Sequence, residues 1–252
     1  MRTHAFHIAY QHRLKMSTKP FKARGAKVNR CTHCQVDKRY CLCEHQPKAS
    51  NDLSAMIILS ENEVLKPSNT GRLIADTIDD CHVYQWSRTE PSQQLLATLN
   101  APKYQPILVF PEEYVEDKAR VLSSDYNATN IAEGKQPLLI FLDGSWREAR
   151  RMFRKSPYLD SLPVLSIRPE SISQYMMRSS DNENHLATAE VASLVFEQLG
   201  YIKESLLLSG WFQAFRESYM LTKSRYKPDI NRPYLQKFLK ENRAFGRAES
   251  SV

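Results

Sequence analysis

The sequence predicts an α/β protein with a mainly parallel sheet, and three observations carry that reading. Short apolar runs of strand length recur along the chain, at residues 55–59, 106–110 and 137–142. Stretches with apolar residues at helical spacing fall between and after them. The run ending at Leu142 hands Asp143 to a turn at Gly144, and Trp146, Ala149, Met152 and Phe153 then follow at helical spacing. That strand, turn and helix unit is the one from which parallel sheets are assembled, and it sets a carboxylate at the carboxyl edge of the sheet.

Taken in order, residues 1–30 have no sustained period and contain Lys19-Pro20, which reads as a flexible basic arm. Residues 31–50 form a small cysteine module. The body, 51–222, opens with the strand at 55–59 and continues with a helix over 69–78, with Leu73, Ile74 and Ile78 on one face. Residues 82–86 read as a second strand, 106–110 as a third, 137–142 as a fourth and 162–167 as a fifth, and the polar stretch 112–135 is expected to include a helix. The pattern over 188–199 is a helix with Thr188 as N-cap and Glu190 in its positive first turn. Val191, Leu194, Val195 and Leu199 form its apolar face, and Gly200 ends it. A further helix spans 203–221, with Leu206, Leu207, Trp211, Phe212 and Phe215, and 223–252 reads as a basic tail.

At 252 residues the chain can bury a full core, and 42% hydrophobic with 10% aromatic content is ordinary for a globular protein. No apolar stretch approaches a membrane span, and the basic amino terminus has no apolar segment of the kind that directs secretion, so a cytoplasmic protein is expected. Charge is unevenly placed. Residues 1–30 hold eight Lys/Arg and no acid, 223–252 carry a net +5, and a chain total of +7 leaves 31–222 at −6. Basic ends on an acidic body suit arms for a polyanion, with Phe21, Tyr226, Tyr234 and Phe238 interleaved for stacking on RNA; solubilising tails are the plainer alternative.

Cys31, Cys34, Cys41 and Cys43 place four thiols within thirteen residues, two close pairs joined by a short loop. That spacing suits one tetrahedral zinc ion in a closed, structural site, with iron–sulfur ligation, disulfides and buried free thiols as the alternatives. His33 and His45 are spare donors, and Cys81 reads as a core residue. Asp143 has two readings: a site carboxylate at the sheet edge, or the N-cap of the helix that follows. In Asn69-Thr70-Gly71-Arg72, either Asn69 or Thr70 can cap the next helix, Gly71 permits a close approach, and Arg72 offers a rigid fork to a carboxylate or phosphate. Arg178 is a second arginine of that kind. Arg147, Arg150, Arg151, Arg154 and Lys155 fall on one side of the helix after Asp143, either a solvated face or one that meets phosphates.

These segments together resemble the DTW-domain family. Asp143-Gly144-Ser145-Trp146 is similar to its Asp-Thr-Trp signature, 69–73 to its NTGRL box, and 186–190 to its LST-x-E-A box; Ser156-Pro157 with Leu162-Pro163 fits its spacer, and the cysteine cluster stands where the family has one. Ser145 and Ala187 depart from the usual Thr and Ser, and 60–63 reads Ser-Glu-Asn-Glu where many members carry His-Pro-x-Glu. The resemblance implies a SPOUT-like knotted domain and transfer of the 3-amino-3-carboxypropyl group of S-adenosylmethionine to N3 of a tRNA uridine. Under it, Asp143, Arg72 and Glu190 are the expected catalytic residues. The donor is expected against Asn69, Thr70, Gly71, Leu142, Gly144, Ser145, Trp146, Arg178, Thr188 and Ala189, with Trp146 either stacking on a ring of the substrate or anchoring its helix. A monomer or a homodimer is compatible with it. A SPOUT-type methyltransferase and a non-catalytic zinc-containing RNA-binding protein are the alternatives.

Overall fold

The computed structural model describes residues 1–18, 28–48, 50, 52–166, 186–222 and 229–248, with side chains in the last stretch to residue 242. Five strands, β1 (Ser54–Leu59), β2 (Cys81–Gln85), β3 (Tyr104–Val109), β4 (Gln136–Asp143) and β5 (Val164–Leu165), form one sheet in the order β2-β1-β4-β3-β5. Every pairing is parallel, with Leu59 opposite Asp143 at the carboxyl end of the central pair. A parallel sheet is covered on both faces, so its central strands are apolar on both sides. Alternation then sorts them: Ala55, Ile57, Leu59, Leu139 and Phe141 face one core, whereas Met56, Ile58, Leu138 and Ile140 face the other.

The helices are α1 (Ala5–Lys15), α2 (Gly71–Thr77), α3 (Gln93–Leu99), α4 (Trp146–Arg154), α5 (Thr188–Gln198), α6 (Ile202–Met220) and α7 (Pro233–Ala248). The first core takes Leu73 and Ile74 of α2, Val195 and Phe196 of α5, and Trp211, Phe212 and Phe215 of α6. The second takes Leu95 and Leu99 of α3 and Ala149, Met152 and Phe153 of α4. The helix following β1 and the helix following β4 therefore pack on opposite faces. Between the ends of these adjacent strands lies the crevice where open α/β sheets take ligands.

Three expectations are corrected. Residues 112–135 hold only three-residue 3₁₀ turns, at Glu112–Tyr114, Lys118–Arg120 and Ala128–Asn130. The carboxylate of Asp117 and the amide oxygen of Asn127 each accept a backbone N–H two residues on, at 3.0 and 2.9 Å, a local bond that competes with the helix. The amino-terminal segment is not wholly a free arm, because residues 5–15 form α1, with Phe6 in the first core. Arg2 lies on the Asp79 carboxylate and donates at 2.8 Å to the carbonyls of Ala75 and Asp76, at the carboxyl end of α2. Nor is 223–252 only a tail: α7 buries Leu235 and Phe238, the latter against Trp211 with ring centroids 5.2 Å apart. Phe238 is thereby a core residue; Tyr234 is exposed, and Phe21 and Tyr226 lie outside the described residues. Residues 167–185, between β5 and α5, also lie outside them.

Candidate active site and metal centre

Asp143 ends β4 and is fully buried. Ser145, not Asp143, caps α4: its hydroxyl accepts from the Glu148 N–H at 3.4 Å, and Glu148 accepts from the Ser145 N–H at 2.8 Å. Burial pushes the Glu148 carboxyl up, but the bonds from Ser145 outweigh it and leave the group below its ordinary range. With the cap supplied elsewhere, the Asp143 carboxylate is held by side chains from two other segments. Its Oδ2 accepts from Asn69 Nδ2 and its Oδ1 from the Thr188 hydroxyl, both at 2.6 Å. Bonds to a charged acceptor are among the stronger ones in proteins.

The Asn69 box is built around that carboxylate. Asn69 Oδ1 accepts from the Arg72 N–H at 3.2 Å and so caps α2, while its amide also donates to Glu63 Oε1 at 3.2 Å. Thr70 is buried, and its hydroxyl accepts from the Ala189 N–H at 3.4 Å, which locks α2 to the start of α5. A Cβ on Gly71 would stand 2.6 Å from Asp143 Oδ2, too close for any side chain. The close approach that requires glycine here is to a side chain of the protein itself. Gly144 is similarly crowded, with Ser60 Oγ 3.0 Å from the place of a Cβ.

Six of the expected residues thus meet: Asn69, Thr70, Gly71, Asp143, Thr188 and Ala189. Thr188 is not the N-cap of α5. It is the first helical residue, after Ala187, and its half-buried side chain reaches Asp143 instead. Others are placed differently. Arg72 is almost wholly buried, its guanidinium 5.3 Å from the Phe215 ring centroid and 3.4 and 3.5 Å from the carbonyls of Pro67 and Asn69. Burial lowers its pKa from the usual arginine value. Its fork is therefore turned into the protein, a correction to its expected presentation to a ligand. Glu190 accepts from the Ala187 N–H at 2.9 Å and so caps the helix start. Trp146 stacks 5.7 Å from Phe110 and meets Tyr114 edge-on at 5.2 Å, which anchors α4. Leu142 is half-buried against the second core. Arg178 lies outside the described residues.

Glu63 is the site residue that sequence reasoning missed. It is fully buried, bonded to Asn69 and paired with Lys66 at 2.6 Å. Its signal was present in 60–63, where Glu63 keeps the final Glu of the His-Pro-x-Glu box although the first two positions differ.

The four cysteine sulfurs of the amino-terminal module lie within 4.8 Å of one another, with Cys31–Cys43 at 3.5 Å and Cys34–Cys41 at 3.7 Å. Bonds of about 2.3 Å to a tetrahedral zinc ion set sulfurs about 3.8 Å apart, so the donor set fits that metal. Hydrogen bonding from Cys43 draws the Cys34 thiol down to about 5, while the bond to Cys34 pushes Cys43 up and burial does the same to Cys41. Cys81 is buried in the first core, and burial raises its thiol.

Comparison with known proteins matches residues 28–220 to the DTW domain. A Drosophila melanogaster protein named tRNA-uridine aminocarboxypropyltransferase 2 is 24% identical over 172 residues, covering 66% of this chain and 64% of the relative. A Macaca fascicularis protein of the same name is 24% identical over 194 residues, covering 70% of this chain and 59% of the relative. The chain thus spans about three fifths of the length of these relatives. No solved structure matches it. No helix among the described residues is long and apolar enough to cross a membrane.

Proposed function

The chain belongs to the DTW-domain family, and from that premise we propose that it transfers the 3-amino-3-carboxypropyl group of S-adenosylmethionine to N3 of a tRNA uridine. The products are acp3-uridine and methylthioadenosine. The observation that carries the reading is the buried Asp143 carboxylate, gripped by Asn69 and Thr188 at the crevice between β1 and β4. The name of the relatives supports the same class of reaction.

The donor supplies a sulfonium, whose positive charge makes the propyl carbon open to attack and methylthioadenosine a neutral leaving group. Two buried carboxylates, Glu63 and Asp143, bracket the Asn69 amide; Lys66 balances the charge of Glu63, and the charge of Asp143 favours a cation in the crevice. Uridine N3 carries a proton and attacks poorly until it is removed. Thr188 is half-buried and donates to Asp143, so its oxygen can take the N3 proton as its own hydrogen passes to Asp143 Oδ1. The N3–carbon bond then forms as the carbon–sulfur bond breaks. Arg72 and Glu190 serve this reading as positioning residues, through the Asn69 turn and the first turn of α5. Arg178 is the arginine left to hold the carboxylate tail of the donor, which is what selects propyl over methyl transfer. The SPOUT-like knot, one structural zinc ion and a cytoplasmic location belong to the same proposal.

The test is incubation of the purified protein and tRNA with donor labelled in either part. Label from the carboxypropyl group, and not from the methyl, must enter the RNA. Methyl label in the RNA would mark a methyltransferase, and no label from either part would mark a binding protein.

A further inference from the structure

We propose that the outer face of α4, flanked by Trp86 and Tyr114, is the surface on which the RNA backbone docks. The inference rests on the tRNA reading above and names where that substrate is held.

Ala149, Met152 and Phe153 turn one side of α4 into the second core, which leaves Arg147, Arg150, Arg151, Arg154 and Lys155 exposed on the other. Among the described residues, none of the five pairs with a carboxylate. Two are nonetheless ordered by rings. Arg150 lies 5.7 Å from the Tyr114 ring centroid and 6.0 Å from that of Trp146, and Arg151 lies 5.6 Å from that of Trp86. Trp86 is itself fixed, its indole N–H donating to Ser156 Oγ at 2.9 Å. A guanidinium on an aromatic ring keeps its donors directed outward, and little freedom remains to be lost when it meets a phosphate.

Position adds to chemistry. The stripe begins four residues after Asp143 and runs along a helix about 14 Å long, from the reaction crevice outward. Residues 31–222 carry a net −6 even with these five cations counted, so the stripe stands out as an attractive patch on a repelling body. Two amino-terminal cations are differently employed: Arg2 lies on Asp79, and Arg13 donates to the Glu61 carbonyl at 3.1 Å and to Asn62 Oδ1 at 2.8 Å. Paired groups of that kind release fewer counterions than free ones.

The experiment measures binding of unmodified tRNA to the full chain across a salt series. Replacing Arg147, Arg150, Arg151 and Arg154 together by Ala should weaken binding at least about tenfold at moderate salt. It should also flatten the plot of log affinity against log salt by about 3, each phosphate contact contributing about 0.7–0.9. The same four positions changed to Lys should keep most of the slope, which separates lost charge from lost structure; thermal melts of both variants check the fold. Lys240→Ala removes one exposed cation from α7 and serves as the charge-matched control for Arg154→Ala. Unchanged affinity and slope in the fourfold Ala variant would overturn the proposal, as would an equal effect of the α7 control. Absence of tRNA binding by the unaltered chain at every salt would overturn the functional reading along with it, whereas intact transfer by a fourfold variant of undiminished affinity would overturn this surface alone.

Discussion

Asp143→Asn is the most informative single change, because the structure says how the amide will sit. Oδ2 accepts from Asn69 Nδ2 and Oδ1 from the Thr188 hydroxyl. An amide nitrogen at the Oδ2 place would face the Asn69 donor, which cannot accept in return. The side chain must therefore settle with its oxygen toward Asn69 and its NH₂ toward Thr188, whose hydroxyl can rotate to accept. Both contacts survive in neutral form. The cost is the charge assistance, about 1–2 kcal/mol, or a fall of about 3–6 °C in Tm for a chain of this size. Turnover should fall much further, about 10²–10⁴-fold, because Thr188 now receives a hydrogen where it must give one. The assay pairs a thermal melt with incorporation of carboxypropyl label into tRNA. Near-normal transfer by a folded Asn variant would refute the reasoning. So would a collapse in Tm far beyond this range, since it would make Asp143 a structural anchor whose charge the fold requires.

Thr188→Val should abolish transfer while Thr188→Ser retains most of it, since the serine keeps the hydroxyl on Asp143; equal activity of the two variants, read in the same label assay, would exclude a relay through this oxygen. Gly71→Ala places a carbon 2.6 Å from Asp143 Oδ2, and the forced shift should cost about 1–3 kcal/mol in denaturant unfolding; an unaltered midpoint would show that the contact is relaxed at no cost. One zinc ion per chain should be found by metal analysis, and its chelation, or loss of any of Cys31, Cys34, Cys41 and Cys43, should loosen the module by hydrogen exchange before the sheet; a metal-free protein with native exchange would reject this. Burial, with His4 next to it, holds His7 down to about 4 from 6.5, so the unfolded chain binds the extra proton first as pH falls. The stability this group contributes is whole above about pH 6.5 and is lost toward pH 4, about 2–3 kcal/mol by pH 4.5, and His7→Leu should remove that part of the acid slope; an unchanged slope would count against it.

The sequence by itself determined the layered α/β class, four of the strands nearly to their ends, the thiol set and the three segments that converge on the site. Those are short-range facts: a buried parallel strand must be apolar on both faces, and a tetrahedral thiolate site needs close-set pairs. The tertiary structure decided what each polar group does once the segments meet. Asp143 could not be told from a helix cap until Ser145 was seen to fill that place, and Thr188 read as a cap because its partner lies 45 residues away in the chain. Arg72 sits in the first turn of a helix, where sequence allows either direction; packing of α6 over α2 turned it inward onto Phe215. The two termini carry charge that suggests solvent, yet α1 and α7 are held by a few apolar side chains, Phe6, Leu235 and Phe238, which composition averages away. Hydrogen bonds and burial that join distant segments have no periodicity along the chain, and only the folded arrangement assigns them.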